Sequence, residues 1–222
     1  MSTTVIVSYD GSDNDDDGLT LASQLKGTGA SLELAYVRHS RAFGERREEL
    51  AQFDAERRLD LGATRLGEQD IPKHVLIAAS TPEGLLEFAQ SHGAAMIVFG
   101  SEYRTPPGRT EPGASATYLL EHGSVAVAVA AAGVRIDPQA TIASIRVLQA
   151  DGDDAAQQTA DSLAAKLGAT VSTDPGAADL IVVGSAPTVA PGRIGVSGAT
   201  RSMLDASSGS VLVVPRGTPV LF

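Results

Sequence analysis

Short apolar runs rich in β-branched residues alternate with helical segments along most of this chain, and that alternation constrains its fold more than any other feature. Thr4-Val5-Ile6-Val7-Ser8-Tyr9 is brief, apolar and stops at Asp10-Gly11, as a buried parallel strand does. Ser12 to Asp16 offers N-caps and acids for a first helical turn. Leu19, Leu21, Ala22 and Leu25 carry the helix to Lys26, and Gly27 and Gly29 end it. Ser31 to Val37 is a second strand. Arg41 to Leu66 is a charged amphipathic helix with Leu50, Phe53, Leu59 and Leu61 on its apolar side. Lys73 to Ala78 is a third strand, and Thr81-Pro82-Glu83-Gly84 opens a helix that runs to His92. Met96 to Phe99 is a fourth strand. A loop rich in Pro, Gly and Arg leads from Gly100-Ser101 to Gly113-Ala114, a helix follows to His122, and Val125 to Val129 is a fifth strand.

Strict β-α alternation implies an α/β fold, with an open parallel sheet, right-handed crossovers and helices on both faces. The few aromatic residues, 4% against 43% hydrophobic, suit a sheet buried on both sides. Ligands of such sheets sit at the carboxyl ends of strands where strand order reverses. Asp10 and Gly100 both stand at such ends, so they share a crevice if the first and fourth strands are neighbours. The exposed N–H groups of the helix that opens at Gly113 make an anion seat.

The pattern then restarts. Ala131 to Ser144 reads as a connector, Ile145 to Ala150 as a strand ending at Asp151-Gly152, and Asp153 to Leu167 as a helix closed by Gly168. Ala169 to Ser172 is a short strand, Asp174-Pro175-Gly176 a turn, and Leu180 to Ser185 an echo of the fourth strand. Gly198 to Ala206 is a helix and Val211 to Val214 the last strand. Nothing here matches Arg41 to His92. The division expected is one full domain over 1–135 and a truncated copy over 136–222, too small to bury a large core alone and so packed tightly on the first.

Composition removes several classes of function. A net charge of −10 argues against nucleic acid as a partner. Without cysteine there are no disulfides, thiolate metal sites or cysteine nucleophiles. No apolar run is long enough to span a membrane and none has the form of a signal peptide, so a soluble, cytoplasmic protein is expected.

Four segments together resemble the universal stress protein family: Val5 to Ser12; Gly100-Ser101 after the fourth strand; Gly113-Ala114-Ser115-Ala116 at a helix start; and Leu119 to Val129. The resemblance implies a Rossmann-like five-stranded sheet ordered 3-2-1-4-5, a second truncated copy of the same fold, and an intramolecular pseudo-dimer through the last strands of the two repeats, with a homodimer as a further option. It also implies a stress-response regulatory role and an adenine nucleotide, ATP or AMP with magnesium, in the first domain. Asp10 and Val37 would hold the base, and Gly100, Ser101, Gly113 and Ala114 would frame ribose and phosphates. Two positions depart from the family's glycine motif. Tyr103 stands where a second glycine belongs, and Ala114 where a Ser or Thr would donate a hydroxyl. In the second repeat the same spacing from Gly184 meets Pro187, Ser197 and Gly198, a further decay. The alternative is a scaffold of the same fold that binds partners and no nucleotide.

Blander readings compete at each site. Asp10-Gly11 and Asp151-Gly152 also make ordinary turns and caps. Asp13, Asp15, Asp17 and Gly18 take EF-hand offsets, but Gln24 replaces the closing Glu and no helix precedes them, so an acidic helix start is the better account and no metal site is expected. Near the crevice those acids would repel a triphosphate unless a divalent ion intervened. Arg104, Arg109 and Arg193 are candidate phosphate partners. His39, His74, His92 and His122 have no metal or triad spacing, and no serine stands in a nucleophile elbow, so at most weak ATP hydrolysis is expected.

Overall fold

A computed structural model describes residues 2–39, 44–137, 139–174, 176–205 and 208–222. Arg41, the expected start of the long helix, lies outside the described residues, as do Pro138 of the connector, Pro175 of the turn and Ala206 of the last helix. The strands are β1 (Thr4–Ser8), β2 (Ser31–His39), β3 (Lys73–Ala78), β4 (Met96–Phe99), β5 (Ala126–Val129), β6 (Ser144–Leu148), β7 (Thr170–Ser172), β8 (Leu180–Gly184) and β9 (Ser210–Val214). The helices are α1 (Asp13–Leu25), α2 (Glu45–Leu66), α3 (Thr81–Ser91), α4 (Ala114–His122), α5 (Ala155–Leu167) and α6 (Gly198–Asp205).

Among the described residues, nine strands form one sheet in the order β3-β2-β1-β4-β5-β9-β8-β6-β7. The first five follow the expected 3-2-1-4-5 order and are all parallel. The last four are parallel among themselves. The two groups meet in a single antiparallel pairing of β5 with β9, Val127 opposite Val213 and Val129 opposite Val211. Successive strand residues face opposite sides of the sheet. Val5 and Val7 therefore join the core beneath α1, α2 and α5, while Ile6 joins the one beneath α3 and α4. Both cores run across the β5–β9 seam. No described helix is long and apolar enough to cross a membrane.

Two local expectations are corrected. Gly27 does not end α1: the chain tightens into a 3-10 turn over Lys26–Thr28, and Gly29, at φ 88°, supplies the left-handed residue that stops it. On α2, Leu50 and Phe53 are 63% and 66% exposed and Leu61 is exposed too, while Leu59 is buried with Ala55, Gly62 and Ala63. At 3.6 residues per turn Leu50 and Leu61 lie on one side of the helix and Leu59 on the opposite side. The four leucine and phenylalanine positions never formed one stripe; the small residues Ala55, Gly62 and Ala63 flank Leu59 and let the helix sit close to the sheet.

Candidate functional site

At the point where β1 lies between β2 and β4, the carboxyl ends of the three strands open a cleft of ≈ 390 Å³. Asp10, Val37, Gly100, Ser101, Gly113 and Ala114 all line it. The volume is in the range of small-molecule sites. Tyr103 does not block the cleft: its ring is 63% exposed and lies beneath the Arg104 guanidinium, 5.0 Å away.

Strand register explains what Val37 offers. Leu34 N–H donates to Pro72 O on the β3 side, and Ala35 O accepts Tyr9 N–H on the β1 side. By alternation Val37 turns its N–H and C=O to the β1 side, past the end of that strand and towards the cleft. Its side chain is buried in the core under α3. An adjacent N–H and C=O can read the donor and acceptor edge of a planar heterocycle.

The floor is acidic. Asp10 Oδ1 accepts Ser12 N–H at 2.8 Å, the ordinary Asx turn, and Asp15 Oδ2 accepts Asp10 N–H at 2.5 Å. Burial works against ionising Asp10, but hydrogen bonds from Asp15 and Ser12 and the Arg58 guanidinium outweigh it and hold the carboxyl below the usual range. Burial first, and then the Asp10 charge, push Asp15 up to about 8. Arg58, from α2, lines the cleft, donates to Asp10 O at 2.6 Å and to Asp54 Oδ2 at 3.0 Å, and lies over the Tyr36 ring.

The frame of the loop is fixed by backbone. Gly100 is required by close approach: a Cβ there would overlap the carbonyl oxygen of Asn14 in α1. Ser101 is buried, and its hydroxyl donates to Ala130 O at 2.6 Å and accepts Glu111 N–H at 3.2 Å, so its one donor is spent on tying the loop to the end of β5. Gly113 is the N-cap of α4 and no side chain caps it. Ala114 brings no polar group, but Ser115, one residue on, brings a hydroxyl to the cleft.

Arg104, Arg109 and Arg193 do not line the cleft. Arg109 N–H donates to Pro106 O, and Arg193 donates to His122 O at 2.5 Å. The acids of α1 diverge. Asp16 pairs with Arg65 and Tyr9, and Asp17 is buried against the Gly133 and Arg135 amides. Among the described residues no three His, Cys, Asp or Glu side chains are placed to hold a metal ion. Arg58, Tyr36, Glu102 and Ser115 were not anticipated. Only Ser115 carried a usable signal, as a hydroxyl one step past the motif position; Arg58 is one of several arginines on α2, and only the fold sets it apart.

The sequence matches the model of the Universal stress protein family over residues 1–131. No curated protein matches it. Among solved structures, a universal stress protein from Archaeoglobus fulgidus is similar at 15% identity, covering 98% of this chain and 100% of its own, with a TM-score of 0.61. A functionally unknown protein from Pseudomonas aeruginosa is similar at 14% identity, covering 97% of this chain and 93% of its own, with a TM-score of 0.64. At these identities the likeness is one of fold. A universal stress protein from Archaeoglobus fulgidus in complex with dAMP is similar at 19% identity over 43% of this chain and 78% of its own, with a TM-score of 0.34, and carries no inference here.

Proposed function

From the premise that the chain belongs to the universal stress protein family, we propose that it is a stress-response regulatory protein whose β1-β2-β4 cleft binds an adenine nucleotide. The observation that carries this reading is the convergence of Asp10, Val37, Gly100, Gly113 and Ala114 on one open cleft, with Tyr103 turned away from it. In this reading the Val37 backbone and the Asp10 carboxylate hold the base, and the Gly100 turn and the first turn of α4 receive ribose and phosphate. Any magnesium would arrive on the phosphates, because the described residues offer no three-ligand site.

We further infer that residues 136–222 are a truncated copy of the domain over 1–135, so that the chain is an intramolecular pseudo-dimer. Recurring hydrogen bonds support this. Ser185 donates to Val214 O at 2.7 Å and accepts Gly195 N–H at 3.2 Å, with the same spacings along the chain, 29 and 10, as Ser101 with Ala130 and Glu111.

The competing reading, a scaffold without nucleotide, draws on Asp15 and Glu102 in the cleft and on the committed Ser101 hydroxyl. Calorimetric titration of the full chain with adenosine, AMP and ATP separates the two. Saturable heat with any of them supports the nucleotide reading, and no heat at millimolar ligand leaves the scaffold.

A further inference from the structure

We propose that Glu102 sets which adenine ligands the cleft accepts, by placing the chain's own carboxylate in the seat where a ligand phosphate would lie. The inference rests on the nucleotide reading of the cleft and goes beyond it by naming a ligand class: an adenine nucleoside carrying at most one phosphate, in preference to a polyphosphate.

The loop backbone holds Glu102 in place. Its N–H donates to Glu111 O at 2.8 Å, its carbonyl accepts Thr105 N–H at 2.9 Å, and Ser101 bridges Pro112 beside it. Glu102 therefore lines the cleft while Tyr103 turns out to solvent. Glu102 Oε1 accepts Tyr103 N–H at 3.2 Å, and Oε2 lies 3.3 Å from where a Cβ on Gly113 would stand. That puts the carboxylate beside the uncapped start of α4, the part of the cleft where peptide N–H groups and the helix dipole favour an anion.

The second half supplies an internal comparison. Ala186 occupies the matching place after Ser185, and its backbone makes the same two bonds, to Gly195 O and from Val189 N–H. The loop frame thus needs no glutamate, and the carboxylate of Glu102 is an addition to it.

The rest of the lining does not offset this charge. Asp10 adds a carboxylate from the β1–α1 turn, Asp15 beside it is a carboxyl that burial keeps protonated below about pH 8, and Arg58 from α2 is the lining guanidinium, already engaged by the Asp54 carboxylate and the Asp10 carbonyl. His39 and Tyr36 complete the titratable side chains at the space, since the Tyr9 hydroxyl is turned away to Asp16 and Arg65. A single phosphate can take the α4 start by displacing one exposed side chain. A triphosphate must also place its remaining charges near the carboxylates of Asp10 and Glu102, and like charges a few ångströms apart repel strongly where water is partly excluded.

The test is titration of the full chain and of Glu102→Gln with adenosine, AMP and ATP, without magnesium and at fixed salt. The wild-type protein is expected to bind adenosine and AMP more tightly than ATP. In Glu102→Gln, ATP should bind about tenfold tighter, equivalent to about 1.4 kcal/mol, with adenosine shifted less than about twofold. Adenosine bound by both proteins with an unmoved ATP-to-adenosine ratio would overturn this inference and leave the site reading standing. ATP binding the wild type as tightly as adenosine would do the same. No binding of any of the three by either protein would overturn the site reading along with it.

Discussion

Asp15 is the cleft carboxyl that burial drives towards its protonated form. Its folded-state value, about 8, lies above the ordinary carboxyl value of 3.8, so its protonated form is the one the fold favours. The stability it contributes is therefore full below about pH 4 and is lost as pH rises towards 8. Asp10 acts oppositely: held below its ordinary value, it contributes stability above that value and loses it in acid. Asp15→Asn should thus raise the urea midpoint at pH 8 relative to wild type and remove the fall between pH 5 and 8; parallel midpoints for the two proteins across that span would refute it. Gly100→Ala tests the close approach of α1. Its Cβ would overlap the Asn14 carbonyl, a backbone atom that cannot rotate away, and the expected loss is about 1–3 kcal/mol by urea unfolding.

At the scale of elements, Asp17 fastens the segment after β5 to α1. It is buried and accepts the Gly133 and Arg135 amides at 2.9 Å and the Arg135 guanidinium at 2.6 Å. Asp153 does the same work at Gly217, after β9. Asp17→Ala should cost about 2–3 kcal/mol, because Arg135 is partly exposed and can rehydrate. It should also speed amide exchange at Gly133 and Arg135 while leaving β1 protected. Unchanged exchange at those two amides would show that the fastening is idle. The same scale shows what the sequence could convey. Strands β1, β4 and β8 were legible because each is a short β-branched run closed by Asp, Gly or Ser, and the cleft followed from strand ends. Asp17 was not legible: it stands in a run of acids, and only the path of the connector past α1 distinguishes it from its neighbours. The buried face of α2 is hidden in the sequence for a related reason: large apolar residues mark its outer side, whereas close packing against Tyr9 and Leu34 uses Gly62.

For the whole molecule, the decisive contact is the antiparallel seam of β5 and β9. All four residues of β5 are buried, and β9 satisfies the edge that would otherwise be open. The edges left in the described sheet are β3, which carries Lys73, and the three-residue β7. A charged or very short strand is a poor template for pairing. Because both cores continue across the seam, neither side can lose its packing without exposing the other. The full chain should therefore have the light-scattering mass of one copy and unfold in a single transition, with far-ultraviolet dichroism and tyrosine fluorescence coincident. A fragment ending at residue 135 would present Ala126–Val129 as an open apolar edge and should self-associate or precipitate. Two separated transitions in the full chain would show that the halves fold independently, and a monodisperse, monomeric fragment would show that β9 is not what completes β5.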